Sequence, residues 1–477
     1  MNDLVSMVWK SVPGNRKSRR VPGRSPWAAV VLLVLLSACA PKELLYYASP
    51  VLVPGTVREM NTPGFWIHRH PEPDQVIMTP GEIGQFNAIT REETGVVREI
   101  CLFPMEKNGK DLKEGLRSIV TSLAEKTFFT REAQKAGQKF FDPILFAMDL
   151  EHIPSTITIR YALVTSFTNQ RVLPTDQGLF SRKGRVDFDR LQNSALDIGT
   201  PLAVLHTSAD GQWYYGVSPL SEGWIRSEHA AVCTVDQLEH FLHAEPFAVS
   251  IRPKTDIYLD PAMTQHYGSL RMGVRMPRYG YMYPGVVEVL LPQRMEDGML
   301  TFSGGYIPAD KVSDGYLPFT PRTMIEQAFG MLNAPYGWGG MYGEQDCSRY
   351  IQQVFATCGI MLPRNSAQQA KVGRLIAEFS GETGSVERIE ALSRAPGGVT
   401  ILYMPGHIML LLGIFNGEPF AIHDIWAYSE PTGTTERLRV VNRVAVTSLS
   451  LGEDAENGSL LHRLVSVRSL DRKPVVK

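Results

Sequence analysis

The sequence predicts a multidomain protein in which a mixed N-terminal cap region precedes two small all-β barrels and a C-terminal α+β domain. A length of 477 residues is enough for about three domains. Short β-type runs alternate with turns between residues 156 and 319, as is typical of small barrels. Beyond residue 320 a helical periodicity is followed by an apolar strand pattern. The predicted bounds are 39–155 for the cap region, 156–240 and 241–319 for the barrels, and 320–477 for the last domain.

The composition excludes several classes of protein. Apolar residues make up 44% of the chain and charged residues 20%, which argues against disordered, collagenous and polytopic membrane proteins. The net charge is −1, but residues 1–38 hold six of the 48 basic residues and one of the 49 acidic residues. The remaining 42 basic and 48 acidic residues give a net charge of −6. We therefore expect no nucleic-acid partner.

The first forty residues have the pattern of an export signal. Basic residues between positions 10 and 24 precede the apolar run Trp27–Leu36, which at about ten residues is too short to cross a bilayer. The segment Leu36–Cys39 resembles a bacterial lipobox. This resemblance implies that residues 1–38 are a signal peptide, and that lipidated Cys39 anchors an exported lipoprotein to a membrane. Because Ala40 follows, we expect the periplasmic face of the outer membrane; an ordinary signal with a chance cysteine is the alternative.

The five cysteines fit neither a metal site nor a disulfide scaffold. They form no Cys-x-x-Cys pair, so no metal is predicted, and an exported chain implies no intracellular cofactor. Cys347 and Cys358 fall on one predicted helix about 16 Å apart, too far for a disulfide. Cys101 and Cys233 are the remaining pair, and a disulfide between them is left open.

The cap region, residues 39–155, mixes helical and loop patterns and indicates no chemistry by itself. Its stretch Asp111–Ala136 predicts a mostly helical segment, with Gly137 as the residue that ends the helix.

Residues 156–240 have the pattern of a small barrel. Asp210-Gly211 lies between two β-type runs and favours a tight hairpin. Aromatic residues such as Trp213 and Trp224 fit either the barrel core, which we favour, or a ligand groove. The region resembles a bacterial SH3 (SH3b) domain through the segments Gly199–Ser208, Asp210–Trp213 and Gly223–Ile225. Residues 241–319 resemble a second, more divergent SH3b domain.

The last domain places a cysteine at the start of a helix. Apolar residues recur at helical spacing after Cys347, namely at Ile351, Val354, Phe355 and Cys358. Asp346 is a candidate N-cap, which puts Cys347 in the first turn. There the helix dipole stabilises a thiolate, so we predict a lowered cysteine pKa and a nucleophilic role.

Two histidines lie on consecutive predicted strands, and the turn between them decides whether they meet. His407 begins an apolar strand, Asn416-Gly417 forms the turn, and His423 lies on the returning strand. A two-residue turn that pairs 415 with 418 puts the two side chains on opposite faces. A three-residue loop, or a bulge, puts them on the same face. We predict the loop or the bulge if the histidines act together.

These residues resemble the NlpC/P60 family of cell-wall cysteine peptidases. The resemblance is based on five separated blocks: Tyr336-Gly337-Trp338-Gly339-Gly340, Asp346-Cys347-Ser348, Leu362–Gln368, Gly406-His407 and Ile422-His423. It implies a papain-like α+β fold, and the cap, barrels and peptidase together are similar to secreted γ-D-glutamyl-diamino acid endopeptidases. The implied partner is a peptidoglycan stem peptide containing L-Ala-γ-D-Glu-diaminopimelate, and we expect the chain to act as a monomer.

The resemblance also implies a role for each residue. Cys347 is the nucleophile, His407 the general base and acid, and His423 the orienting residue, with Asp424 a lower-ranked candidate. The substrate-binding residues are Tyr336 beside the oxyanion, Trp338, Asp346 for the free α-amine of L-Ala, and Ser348 and Ser366 along the peptide.

The chain departs from the family pattern at two places, and two other functions stay open. Arg349 stands where the family usually has glycine, and Val399-Thr400 replaces Asp-Leu, which affects the prediction of fine specificity. One alternative is a peptidoglycan-binding lipoprotein whose papain-like domain is inactive. The other keeps the fold but acts on a different amide, as an amidase or acyltransferase.

Overall fold

The computed structural model describes residues 44–46, 52–280, 284–432 and 435–471. The predicted signal segment 1–38 and Cys39 lie outside the described residues. From Leu44 onward the chain forms one compact unit. Within the described ranges, no helix combines the length and the apolarity needed to cross a membrane.

The N-terminal region is mostly helical. Its elements are β1 (Leu44–Tyr46), α1 (Pro63–Ile67), α2 (Pro80–Thr94), β2 (Glu106–Asn108), α3 (Gly109–Ala124) and α4 (Gln138–Ala147). The segment Asp111–Ala136, predicted to be mostly helical, is in α3 up to Ala124, but Gly137 is the N-cap of α4 and does not end a helix as predicted. Between these helices Phe129 exchanges two backbone hydrogen bonds of 2.8 Å with Phe180, so tertiary pairing replaces helical bonds there.

The first barrel forms around a seven-stranded sheet in the order β10-β4-β7-β8-β9-β5-β6. Its strands, with β3 pairing β2 beside it, are β3 (Thr156–Thr158), β4 (Arg160–Val164), β5 (Thr168–Arg171), β6 (Gln192–Leu196), β7 (Pro201–Thr207), β8 (Trp213–Val217), β9 (Glu222–Arg226) and β10 (Ala230–Cys233). The turn at Asp210-Gly211 joins β7 to β8, with Gly211 at φ 70°, which glycine adopts without strain. Trp213 and Trp224 are buried, so both belong to the core, as predicted.

A short helix leads into a second group of small sheets. The elements are α5 (Val235–His243), β11 (Phe247–Ser250), β12 (Lys254–Tyr258), β13 (His266–Arg271), β14 (Arg275–Pro277), β15 (Val286–Arg294), β16 (Leu300–Pro308) and β17 (Val312–Asp314). The strands form the sheets β13-β12-β16-β15 and β14-β11-β17, and all of them fall within the predicted range 241–319. Cys101, Cys233, Cys347 and Cys358 are all free thiols in the structure.

The C-terminal domain packs helices against a central sheet. Its elements are α6 (Pro321–Gly330), α7 (Cys347–Ala356), α8 (Ser366–Gln369), β18 (Arg374–Glu378), α9 (Ser385–Ser393), β19 (Thr400–Met404), β20 (His407–Phe415), β21 (Glu418–Thr432), β22 (Thr435–Ser448) and β23 (Ser466–Ser469). The sheet order is β1-β22-β21-β20-β19-β23-β18. Buried apolar residues of α7 pack on those of β20 and β21, which fixes the helix start against the sheet.

Candidate active site

The start of α7 holds Cys347 in a buried position. Asp346 caps the helix, its side chain accepting the backbone N–H of Arg349 at 2.9 Å, as predicted. Cys347 is 6% exposed, and Ile351, Val354 and Phe355 anchor the same helix in the core. The cysteine is therefore placed by a capped, well-packed helix rather than by a loop.

The hairpin of β20 and β21 contains both a tight turn and a bulge. Asn416 and Gly417 have φ of 52° and 80°, and Phe415 lies opposite Glu418, so the turn has two residues. Of the two predicted alternatives, the three-residue loop is therefore not the one that the chain adopts. The predicted bulge is confirmed, because the partners of Ala421 and Phe420 are residues 411 and 413, which leaves residue 412 unpaired.

The bulge brings the two histidines together. His407 Nε2 lies 2.6 Å from His423 Nδ1, and His423 Nε2 lies 2.9 Å from the hydroxyl of Thr447 on β22. His423 and Thr447 are completely buried. Thr447 was not among the residues predicted from the sequence, although a hydroxyl directly after the apolar run 444–446 of a buried strand is a usable signal.

Burial determines the resting protonation of the cysteine and the first histidine. Desolvation, with a contribution from Asp346, raises the pKa of the Cys347 thiol to about 12, against a lowering contribution from the backbone N–H of Ile408. Desolvation and the charge of Arg463 lower the pKa of His407 to about 4. The predicted lowering of the cysteine pKa is wrong, because burial outweighs the helix dipole. Burial thus favours the neutral thiol and the neutral imidazole.

An aromatic cleft of about 350 Å³ opens beside His407. It is lined by Tyr336 and Trp338, two of the predicted substrate residues, and by Phe188 and Trp426. The ring of Phe188 packs edge-on against Trp338 at 5.1 Å and Trp426 at 4.8 Å. Phe188 comes from the segment between β5 and β6 of the first barrel, so the barrel supplies one wall of the cleft.

Tyr336 keeps its proton in this site. Burial, with the neighbouring Cys347 as the next cause, raises the pKa of Tyr336 well above its ordinary value. The phenol therefore remains a hydrogen-bond donor close to the thiol. The role of Tyr336 beside an oxyanion stays a prediction.

Asp346 is fully engaged inside the protein. One carboxylate oxygen accepts from Ser348 Oγ at 3.0 Å and from Arg364 Nη1 at 3.1 Å; the other accepts from Gly339 N and from Arg364 Nη2 at 2.7 Å. Burial opposes ionisation, but Arg364 holds the pKa of Asp346 below its ordinary value. Arg364 is therefore the ion-pair partner of Asp346 in the structure, and contact of this carboxylate with a substrate ammonium group stays a prediction. Ser348 is buried in the same cluster.

The two remaining predicted residues lie apart from the histidine chain. Ser366 begins α8 and is half-buried, and its contact with a peptide stays a prediction. Asp424 is buried and accepts from Gln345 Nε2 at 3.2 Å. Since His423 occupies the Nε2 of His407, Asp424 is not its orienting partner, in line with its lower rank.

Arg349 joins three parts of the chain instead of reaching the cleft. Its guanidinium lies 2.6 Å from Asp197, which follows β6 of the first barrel. The same carboxylate accepts two hydrogen bonds of 2.8 Å from Arg271 of β13. Exposed fractions of 5% for Asp197 and 3% for Arg271 make this a buried cluster. Arg349, which stands where the family has glycine, therefore links the C-terminal domain to the two preceding β regions.

Comparisons with known proteins agree with the fold and the order of the parts. The profile of the SH3 domain (SH3b1 type) matches residues 179–226, and that of the NlpC/P60 family matches residues 333–425. The chain is similar to a γ-D-glutamyl-L-lysine dipeptidyl-peptidase of Bacillus cereus (strain ATCC 10987 / NRS 248), with 26% identity over 137 residues. That match covers 27% of this chain and only 38% of the relative.

A solved structure extends the likeness to most of the chain. The NlpC/P60 endopeptidase from Photobacterium damselae subsp. piscicida superposes with a TM-score of 0.70 at 18% identity, covering 85% of this chain and 96% of that one. At this identity the likeness concerns the fold. Taken with the two profiles, it shows that the chain contains a bacterial SH3 domain and an NlpC/P60 domain of papain-like fold.

Proposed function

We propose that the protein is a cysteine peptidase that hydrolyses the γ-D-glutamyl-diamino acid bond of peptidoglycan stem peptides. The observation that carries the proposal is the His407–His423–Thr447 hydrogen-bond chain, which opens into an aromatic cleft and begins next to Ile408, whose backbone N–H contacts the Cys347 thiol. The NlpC/P60 profile and the name of the Bacillus cereus relative support the choice of bond.

The hydrogen-bond chain is compatible with the tautomer that a general base needs. In that tautomer, Thr447 accepts the Nε2 proton of His423, so the Nδ1 of His423 presents a lone pair. His407 donates its Nε2 proton to that lone pair, which leaves its own Nδ1 unprotonated. Cys347 then transfers its proton to this nitrogen as the sulfur attacks the γ-carbonyl carbon. Because both groups start neutral, proton transfer accompanies the attack.

The negative charge that develops on the carbonyl oxygen meets two donors. One is the backbone N–H of Cys347 in the first turn of α7, and the other is the protonated hydroxyl of Tyr336. As the C–N bond breaks, His407 returns its proton to the leaving amine of the diamino acid. Water, deprotonated by His407, then hydrolyses the thioester and restores the Cys347 thiol.

Digestion of a defined peptide tests the proposal. We expect the purified protein to convert L-Ala-γ-D-Glu-meso-diaminopimelate into L-Ala-γ-D-Glu and free diaminopimelate, identified by mass spectrometry. Cys347→Ala should abolish the products while the thermal unfolding midpoint stays close to that of the wild type. Products from another bond, or full activity in C347A, would reject the assignment. Binding of the peptide without cleavage by the wild type would favour the inactive-domain alternative.

Two finer expectations belong to the same proposal. We propose that a free N-terminal L-Ala is preferred, which digestion of the N-acetylated peptide tests, since equal rates would remove the preference. We also propose that lipidated Cys39 anchors the protein to the outer membrane. Cys39→Ala should move the protein from the membrane fraction to the soluble periplasmic fraction, and retention in the outer membrane would contradict the anchor.

A further inference from the structure

The cleft beside His407 has the opposite charge to the chain around it. Its lining contains two charged residues among those described, Arg190 and Arg463, and both are cations. The chain beyond residue 38 carries a net charge of −6. A cationic cleft in an acidic protein concentrates anionic ligands and disfavours cationic ones.

Neither cleft arginine is neutralised by the protein. Within the described ranges no carboxylate lies in ion-pairing distance of Arg190 or Arg463, whereas Arg349 and Arg364 are each paired with a buried aspartate. Arg190 uses its Nε to donate to Ser181 at 2.9 Å. Arg463 lines the cleft and, among the described residues, has no acidic partner.

The backbone of Arg463 is held by its neighbours, while the residue as a whole is exposed. The N–H of Arg463 donates to Ser459 at 3.2 Å, and the flanking Leu461 and Leu464 are buried. The charge of Arg463 adds to burial in lowering the pKa of His407, which agrees with their position on the same cleft wall. The guanidinium is thus held close to the general base by a packed segment.

The position beside His407 determines which part of a substrate Arg463 meets. In the mechanism above, His407 protonates the amine that leaves, so groups next to it lie against the diamino acid and not against the γ-glutamyl carbonyl. We propose that Arg463 binds a carboxylate of the leaving diamino acid and selects stem peptides that carry one there. This inference depends on the proposed function, because it uses the direction of that reaction.

Two carboxylates of a stem peptide fit this description. One is the α-carboxylate of the diamino acid when that residue ends the peptide. The other is the distal carboxylate of diaminopimelate, which lysine lacks. Both would form charge-assisted hydrogen bonds with a guanidinium.

Four substrates distinguish binding of the α-carboxylate from binding of the distal carboxylate. They are L-Ala-γ-D-Glu-meso-diaminopimelate and L-Ala-γ-D-Glu-L-Lys, each with the diamino acid α-carboxyl free or amidated. Wild type, Arg463→Gln and Arg463→Lys are compared at about pH 7.5, far above the pKa of His407, so that loss of the Arg463 charge leaves the base neutral. Arg394→Gln, an exposed arginine that contacts Glu390 on α9, serves as the matched loss of charge.

We expect Arg463→Gln to lower kcat/KM by about 10- to 100-fold for substrates that carry the recognised carboxylate. The amidated lysine peptide should lose nothing, Arg463→Lys should recover part of the activity, and Arg394→Gln should match the wild type. A loss confined to the diaminopimelate peptides identifies the distal carboxylate, and a loss that follows amidation identifies the α-carboxylate.

Two other results would overturn the inference, and they are distinguishable. An equal loss on all four substrates, or no loss on any, would show that Arg463 recognises no carboxylate while leaving the proposed function intact. Absence of wild-type cleavage of all four peptides would remove the proposed function and this inference with it.

Discussion

The imidazole of His407 lies 2.6 Å from that of His423 across a hairpin whose tight turn alone would separate them onto opposite faces. A single unpaired residue, Leu412, corrects the register between the turn and the histidines. Because side chains alternate along a strand, one extra residue moves every side chain beyond it to the other face. The bulge is therefore a condition for the histidine pair and not a local irregularity.

Adding a side chain to Gly413, the residue after the bulge, should reduce both stability and activity. Gly413 has φ 143°, a region that other residues rarely adopt, so Gly413→Ala should lower the free energy of unfolding by about 1–3 kcal/mol. It should also reduce kcat by disturbing the histidine register. Urea denaturation and peptide kinetics measure both effects. Gly381→Ala, at an open position without positive φ, is the control, and a G413A protein indistinguishable from it would contradict the account.

Thr447 should act as a positioning residue through His423. Thr447→Val removes the hydroxyl that pairs with His423 Nε2, so the proposed tautomer loses its support and kcat should fall about tenfold or more. Thr447→Ser keeps the hydroxyl and should keep most of the activity. Ring ¹⁵N chemical shifts of His407 should report the change of tautomer in T447V alone. Unchanged shifts combined with a rate loss in both variants would indicate a packing effect instead.

The pH profile should reveal the buried base. His407 has its pKa lowered to about 4 from an ordinary 6.5, so the neutral, active imidazole persists as pH falls until the profile approaches about 4. The raised pKa of Cys347, about 12, predicts slow alkylation by iodoacetamide at neutral pH. Measurement of kcat/KM against pH, with alkylation rates, checks both statements. Rapid alkylation at neutral pH, together with a loss of kcat/KM on the alkaline side as an imidazolium deprotonates, would instead show a thiolate–imidazolium pair at rest.

Removal of Asp197 should lower the free energy of unfolding more than removal of either arginine that binds it. Asp197→Ala leaves two buried guanidiniums without a carboxylate, and the free energy of unfolding should fall by about 3–5 kcal/mol. Arg349→Met leaves Asp197 with both bonds from Arg271, so a smaller loss of about 1–2 kcal/mol is expected. Denaturant unfolding of both variants gives the comparison.

An exposed pair supplies the reference for this experiment. Asp310→Asn breaks the surface contact with Lys311 and should leave the unfolding midpoint unchanged. A larger loss for R349M than for D197A would mean that Arg349, and not Asp197, is the centre of the cluster.

The local features of the site were predictable from the sequence. The capped helix after Cys347 follows from an N-cap residue and apolar spacing, and the two strands follow from apolar runs around Asn416-Gly417. These signals lie within about ten residues of the feature they determine, which is the range where propensity and periodicity are informative.

The remaining features depend on distant parts of the chain. Phe188 enters the cleft from the first barrel, more than a hundred residues before Cys347, and nothing in its own surroundings marks it. The sequence allowed a longer loop or a bulge, and only the pairing of β20 with β21 distinguishes them. The thiol pKa depends on how completely the folded domains exclude water from Cys347, which no single helix encodes.

The Asp197 cluster has a consequence for how such chains can be recombined. Its three members come from three different segments of the chain. Any one segment, separated from the other two, therefore carries a charged residue that has lost its ion-pair partner. A hybrid that carries this peptidase segment behind foreign barrels would need an acid at the position of Asp197, or a small residue in place of Arg349. The charges at this junction therefore restrict which barrel domains can be combined with the peptidase segment in a stable hybrid.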